Sequence, residues 1–292
     1  MNDLAAPGLC ADEYRRRDLA RQPPARADKY PSTHFRSPAY RPISLPALPS
    51  DSYGPVFDSG LAQPGDNDLT TKFACPGQSA IDERILVHGR PIDEHGRGID
   101  EALIEVWQAN ADGRYRHPRD TCTAPLDPDL GGCRRVLTDQ SGGFSLNTIK
   151  PGPYPWLNGG NDWRPLHIHF SVFGHGFVQR LVTRMYFGGD PLISMCPIFG
   201  TTPDRQAAER LVARFDHDNT IPMDRRAYRF DIVLRGRDST MFENRMEGSQ
   251  DAGLPGDGVT DLRAPCSHWL HIGLGRPDRQ VCRPASRSPH VP

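Results

Sequence analysis

The chain has 292 residues and a formal net charge of -1, with 35 Lys and Arg against 36 Asp and Glu. That balance leaves no electrostatic footprint for nucleic acid or an anionic membrane surface, and no run of about 18 apolar residues could span a bilayer. Hydrophobic residues make up 37%, while 28 Gly and 29 Pro favour short strands and many turns over a helix bundle.

Residues 1–50 form a Pro/Arg-rich N-terminal arm without sustained periodicity. Such an arm is expected to become ordered by wrapping on a partner or on the body of its own chain. Its first residues lack the basic start and apolar stretch of a secretory signal. The seven cysteines are odd in number and contain no C-x-x-C pair, so they read as reduced thiols in a cytoplasmic protein.

The body, residues 51–243, opens on ERILVHGRPIDEHGRGIDEALIEVWQ, a hairpin signal: a strand through Ile85 and Val87, a turn, then a strand from Ala102 to Gln108. A long loop carries Tyr115. GFSLNTI, LHIHFSVF and QRLVTRMYF supply further strands. TTPDRQAAERLVARF has Pro203 near its start and apolar residues at Ala208, Leu211, Val212 and Phe215, which predicts one helix. AYRFDIVLRG then alternates Tyr228, Phe230, Ile232 and Leu234 against polar neighbours, as a half-buried strand does. Residues 244–292 lose this patterning and read as a flexible C-terminal tail. The fold expected is all-β, an antiparallel β-sandwich with one late helix and extended arms at both ends.

The chemistry concentrates in PGPYPWLNGGNDWRPLHIHF (151–170). Residues i and i+2 of a strand share a face, ~6.5–7 Å apart, so His167 and His169 can reach one metal ion from one strand. An H-x-H pair alone also suits a solvated strand face. Tyr154 lies between Pro153 and Pro155, which bias its backbone to an extended conformation. Taken alone, it also suits a buried turn. A phenol, with an ordinary pKa of about 10, is a poor ligand until a highly charged cation stabilises the phenolate. Two tyrosines and two histidines would make a hard, anionic donor set that favours Fe(III). The carboxylate of a 2-His-1-carboxylate Fe(II) centre is missing from this segment.

GRYRH (113–117), APLDP (124–128), TIKPGPYPW (148–156), NDWRPLHIHF (161–170), GDPLISMCPI (189–198) and AYRFDIVLRG (227–236) resemble the intradiol ring-cleavage dioxygenases. The resemblance runs from about Tyr30 to Asn244. It implies non-haem Fe(III) held by Tyr115, Tyr154, His167 and His169, with a catechol-type substrate and O2. Tyr154 would leave the metal when substrate binds and take up one of its protons. Arg164 would stabilise negative charge on the activated ring, and Trp156, Tyr186 and Ile198 would wall the pocket. Tyr30 would reach the ring substituent from the arm. The resemblance also implies a paralogous α-type subunit in a hetero-oligomer, with no nucleic acid and no membrane involved. Protocatechuate, cleaved to 3-carboxy-cis,cis-muconate, is the substrate it favours. The alternatives are another anionic catechol such as 4-sulfocatechol, or a non-catalytic β-sandwich partner subunit.

Three positions depart from the family pattern. Arg184 stands in LVTRMYF where glutamine is usual, on the same strand face as Tyr186. Leu157 follows PYPW where a basic residue is usual, and the tail beyond Asn244 has no family counterpart.

Overall fold

The computed structural model describes residues 18–37, 40, 61–158, 162–173 and 180–242. The C-terminal tail and most of the first 60 residues lie outside them. In chain order the elements are α1 (Ser32–Arg36), β1 (Arg84–Gly89), β2 (Pro91–Ile92), β3 (Leu103–Gln108), β4 (Cys133–Leu137), β5 (Phe144–Ile149), β6 (Tyr154–Trp156) and β7 (Asp162–Arg164). They continue with β8 (His167–Phe173), β9 (Arg180–Phe187), α2 (Arg205–Glu209), β10 (Val212–Ile221), β11 (Arg225–Arg229) and β12 (Ile232–Val233).

Eight strands hydrogen-bond in the order β4-β3-β8-β9-β10-β11-β1-β5. The run turns over at β10. Val212 and Ala213 pair with β9, Arg214 to Asp216 pair with β11, and the register breaks between Asp216 and Ile221. A bulge of this kind bends a strand and lets it serve two layers. Phe170 of β8 sits 5.9 Å from Phe144 of β5 and 5.3 Å from Phe230, so the two halves of the run meet across a shared core. Ile85, Val87, Ile104, Val106, Ile168, Phe170 and Leu146 are buried there. Most pairings are antiparallel, while β1–β11, β9–β10 and β2–β12 are parallel. The architecture is the all-β sandwich expected.

Two local expectations fail. The first is the hairpin. β1 pairs with β5 and β11, whereas β3 pairs with β4 and β8, so the two segments lie in different layers. The DEHGRG turn forms, with Asp93 accepting from the backbone N–H of His95 and Arg97, but it follows β2, which pairs with β12, and does not join β1 to β3 as a hairpin. The second is the helix. Asp204 caps it through the N–H of Gln206 and Ala207, and it then ends at Glu209. Val212 and Phe215, which helical spacing placed on its apolar face, instead enter β10, where β9 and β11 supply the hydrogen bonds. Such β-branched and aromatic residues suit a strand once partners exist.

Described arm residues pack on the body. Arg21 is buried and pairs with Asp204, the α2 cap, and with Asp238 at 2.7 Å. Gln22 donates to Ser239 Oγ at 3.1 Å and accepts from Phe242 N at 2.9 Å. Cys122, Cys133 and Cys196 are free thiols. Cys75 is disulfide-bonded, its partner outside the described residues, which corrects the reduced-thiol reading at that position. No helix among the described residues is long and apolar enough to cross a membrane.

Candidate active site

Strand β8 builds the floor of the site. Its alternation sends Ile168, Phe170 and Val172 into the core and leaves His167 and His169 on the opposite face. His167 Nδ1 donates to Pro165 O at 2.6 Å, which fixes the tautomer and turns the Nε2 lone pair inward. The ring of His169 stacks on Trp107 of β3, its register partner, at 4.9 Å and an interplanar angle of 3°.

The β6–β7 ribbon adds Tyr154 and Arg164, which are register partners. The loop after β3 adds Tyr115. Asn110 organises that loop. Its Oδ1 accepts from Asp112 N and Arg114 N, and its backbone carbonyl accepts from Gly113 N and Gly152 N. The last of these bonds ties the Tyr115 loop to the segment leading into Tyr154.

Around His167 Nε2 lie His169 Nε2 at 3.2 Å, Arg164 Nη2 at 3.2 Å, Tyr154 Oη at 3.4 Å and Tyr115 Oη at 3.5 Å. One imidazole lone pair cannot accept four hydrogen bonds. Ligand atoms bound at ~2.0–2.1 Å to one ion stand about 3–3.5 Å apart, which is how far the two phenol oxygens and His169 Nε2 lie from His167 Nε2. Among the described residues no group of three or more His, Cys, Asp and Glu converges in this way. A metal ion held at this point would have tyrosine and histidine donors, a set that fits a hard trivalent ion better than zinc or Fe(II).

Electrostatics prepare the same set. Burial, then the charges of Arg164 and His169, hold His167 well below the usual imidazole range. His169 is half-buried by surface exposure yet ringed by protein, and burial followed by Arg184 and Arg164 lowers it too. Both rings are thus neutral, the form that ligates metals. Burial works against the charge of Arg164, yet the neighbouring Tyr154 oxygen, followed by Tyr186, Cys196 and Tyr30, holds it well above the usual guanidinium range. Burial pushes the Tyr186 phenol up and keeps it protonated.

Tyr30, Cys196 and Ile198 form one buried cluster, against which Trp156 packs. Tyr30 and Trp156 meet edge to face at 5.4 Å. Arg184 is buried and opposite His169 in the β8–β9 register. Leu157 is exposed. Trp107, Asn110 and Gly113 were not singled out from the sequence. Only Trp107 left a signal there, as an aromatic on the face of β3 away from Ile104 and Val106.

The sequence profile of the dioxygenase family matches residues 53–236. The protocatechuate 3,4-dioxygenase beta chain of Burkholderia cepacia is 49% identical over 214 residues, 73% of this chain and 90% of that protein. The protocatechuate 3,4-dioxygenase alpha chain of Pseudomonas putida is 32% identical over 207 residues, 68% of this chain and 96% of that one. The solved 3-chlorocatechol 1,2-dioxygenase of Rhodococcus opacus covers 63% of this chain and 70% of its own, at 21% identity and a TM-score of 0.45. This chain belongs to the dioxygenase family of intradiol ring-cleaving enzymes, a family known for non-haem Fe(III).

Proposed function

We propose that this chain is a non-haem Fe(III) dioxygenase that cleaves a catechol between its two hydroxyls, with protocatechuate yielding 3-carboxy-cis,cis-muconate. It would act in the cytoplasm beside a paralogous α-type subunit, a pairing supported by its likeness to both chains of protocatechuate 3,4-dioxygenase. The observation that carries the reading is the convergence of Tyr115, Tyr154 and His169 on His167 Nε2 at 3.2–3.5 Å. Tyr115, Tyr154, His167 and His169 would hold the metal. Bound there, Fe(III) would draw electron density from the catecholate and make a ring carbon reactive toward O2.

The protein's own groups do the rest. The Tyr154 phenolate oxygen is the base that takes a substrate hydroxyl proton, and its backbone stays in place because Pro153 and Pro155 flank it inside the β6–β7 ribbon. Arg164 supplies a preorganised positive charge to the deprotonated ring. Tyr30, Trp156, Tyr186 and Ile198 enclose the ring and exclude water. O2 and the catechol supply every atom of the product, so no external reductant is needed.

Purified protein is expected to be red-brown from tyrosinate-to-iron charge transfer and to consume O2 with protocatechuate. Tyr154→Phe should shift that absorption and abolish most turnover. A colourless, iron-free protein, prepared with ample iron and a co-expressed α-type subunit, would refute the reading.

A further inference from the structure

The two histidines of the donor set are oriented in different ways. His167 Nδ1 donates to Pro165 O at 2.6 Å. His169 lies with its ring flat against the indole of Trp107, the planes 3° and the centroids 4.9 Å apart. At that separation two parallel rings are offset, the arrangement that their quadrupoles favour. His167 and Tyr115 also flank His169, but their rings are inclined to it by 74° and 53°. Of these three rings it is therefore Trp107 that sets the imidazole plane.

The indole is firmly mounted. Trp107 sits on an interior strand, opposite His169 on β8 and Cys133 on β4. The next residue, Gln108, is buried and crosses to β5, donating to Ile149 O at 2.9 Å and accepting from Thr148 Oγ1 at 2.8 Å. These bonds hold the end of β3 where the indole leaves it.

We propose that Trp107 is a positioning residue that keeps His169 in its metal-binding orientation and strengthens its hold on the ion. This inference rests on the metal centre proposed above and adds a residue outside the four donors. An imidazole that gives its lone pair to a trivalent cation loses electron density from the ring. The electron-rich indole face attracts the depleted ring more strongly than the neutral one. The stack is thus tighter with metal bound than without, and the difference adds to metal affinity.

The test reads iron retention in the purified, iron-loaded protein, co-expressed with the α-type subunit. Trp107→Leu removes the aromatic face, and Trp107→Phe keeps a smaller one. Loss of the visible band in excess chelator gives the release rate. Trp107→Leu is expected to release iron about tenfold or more faster than the parent, with Trp107→Phe between the two. The rise in Tm on iron loading should shrink in the same order. A purely structural indole would lower the Tm of metal-free and loaded protein alike and leave both that rise and the release rate unchanged. That result overturns the inference. Where the leucine protein does not accumulate, Trp107→Phe decides alone, and a release rate equal to the parent's overturns it. A parent that takes up no iron refutes the metal centre itself, whereas a loaded parent whose variants hold iron equally well refutes only this inference.

Discussion

Tyr154 and Arg164 stand directly opposite one another in the β6–β7 ribbon, and the guanidinium of Arg164 lies 6.0 Å from the Tyr154 ring centroid and 3.2 Å from His167 Nε2. Arg164 Nε is buried with no hydrogen-bond partner among the described residues. A buried N–H left in reserve fits a role toward a ligand. Arg164→Met is therefore expected to lower kcat by about 10²–10³, while iron content and the visible band persist. Arg164→Lys should restore part of the loss, since it returns the charge without the fork. Steady-state kinetics with metal analysis checks both, and a kcat within twofold of the parent contradicts the role.

Gly113 has φ +79°, and a Cβ there would sit 2.3 Å from Pro153 O and 2.9 Å from Tyr154 Cβ. Gly113→Ala must push the Tyr154 mount aside or distort the Tyr115 loop. The expected cost is about 1–3 kcal/mol of stability, with a shifted or weakened visible band. Gly65 is the control, because at φ +85° it has nothing within 4 Å of its added Cβ. Gly65→Ala should lose only the about 1–2 kcal/mol of a left-handed alanine and keep its spectrum. Identical spectra for the two variants would separate Gly113 from the site.

The contrast between these residues shows what a sequence can reveal. His167 and His169 declare themselves because a strand's period of two is local, and the prolines around Tyr154 fix its backbone wherever the chain goes. Trp107 stacks on His169 only because β3 and β8 are neighbours, a pairing separated by more than 50 positions that no local pattern records. Gly113 is likewise constrained by Pro153, 40 positions further along the chain. The stretch from Ala208 to Phe215 satisfies both helical spacing and strand propensity, and the choice falls to β10 because the edges of β9 and β11 lie waiting. Local stiffness and periodicity are legible, while long-range register is not.

Asp216 sits at the bulge of β10, where its carboxylate accepts from Asn219 Nδ2 at 2.9 Å and Asn219 N at 3.1 Å and contacts His88 Nε2 at 2.8 Å. These bonds, those of Asn219 foremost, lower its pKa to about 2, against about 3.9 in an unfolded chain. The folded value is the lower one, so the ionised carboxylate stabilises the fold above about pH 4, and that contribution fades as pH falls from about 4 through about 2. Asp216→Asn should therefore show a lower Tm than the parent near neutral pH, with the gap closing in acid. A gap that stays constant across that range would mean that the bulge depends on shape and not on charge.

Arg21 joins the arm to the body through Asp204 and Asp238, nine residues before Tyr30 reaches the Cys196–Ile198 cluster. Gln22 reinforces the anchor through Ser239 and Phe242. Without it, Tyr30 is steadied by the turn of α1, where Thr33 Oγ1 donates to Tyr30 O at 2.7 Å, and by Asn158 Nδ2, which donates to Lys29 O at 2.9 Å. The anchor lies at Asp204 and Asp238, away from the β8 and β6 residues of the site, so unlatching it should loosen the ring's enclosure and spare the chemistry. Arg21→Ala is expected to raise KM several-fold with kcat within about threefold of the parent, and to leave the visible band in place. Removing one partner of a buried ion pair also costs about 3–5 kcal/mol, of which the exposure of Asp238 should spare a large part. Limited proteolysis then reports the arm directly: faster cleavage among residues 18–37 with an unchanged body fragment is the expected pattern. A collapse in kcat at unchanged KM would instead place Arg21 in service of the donor set.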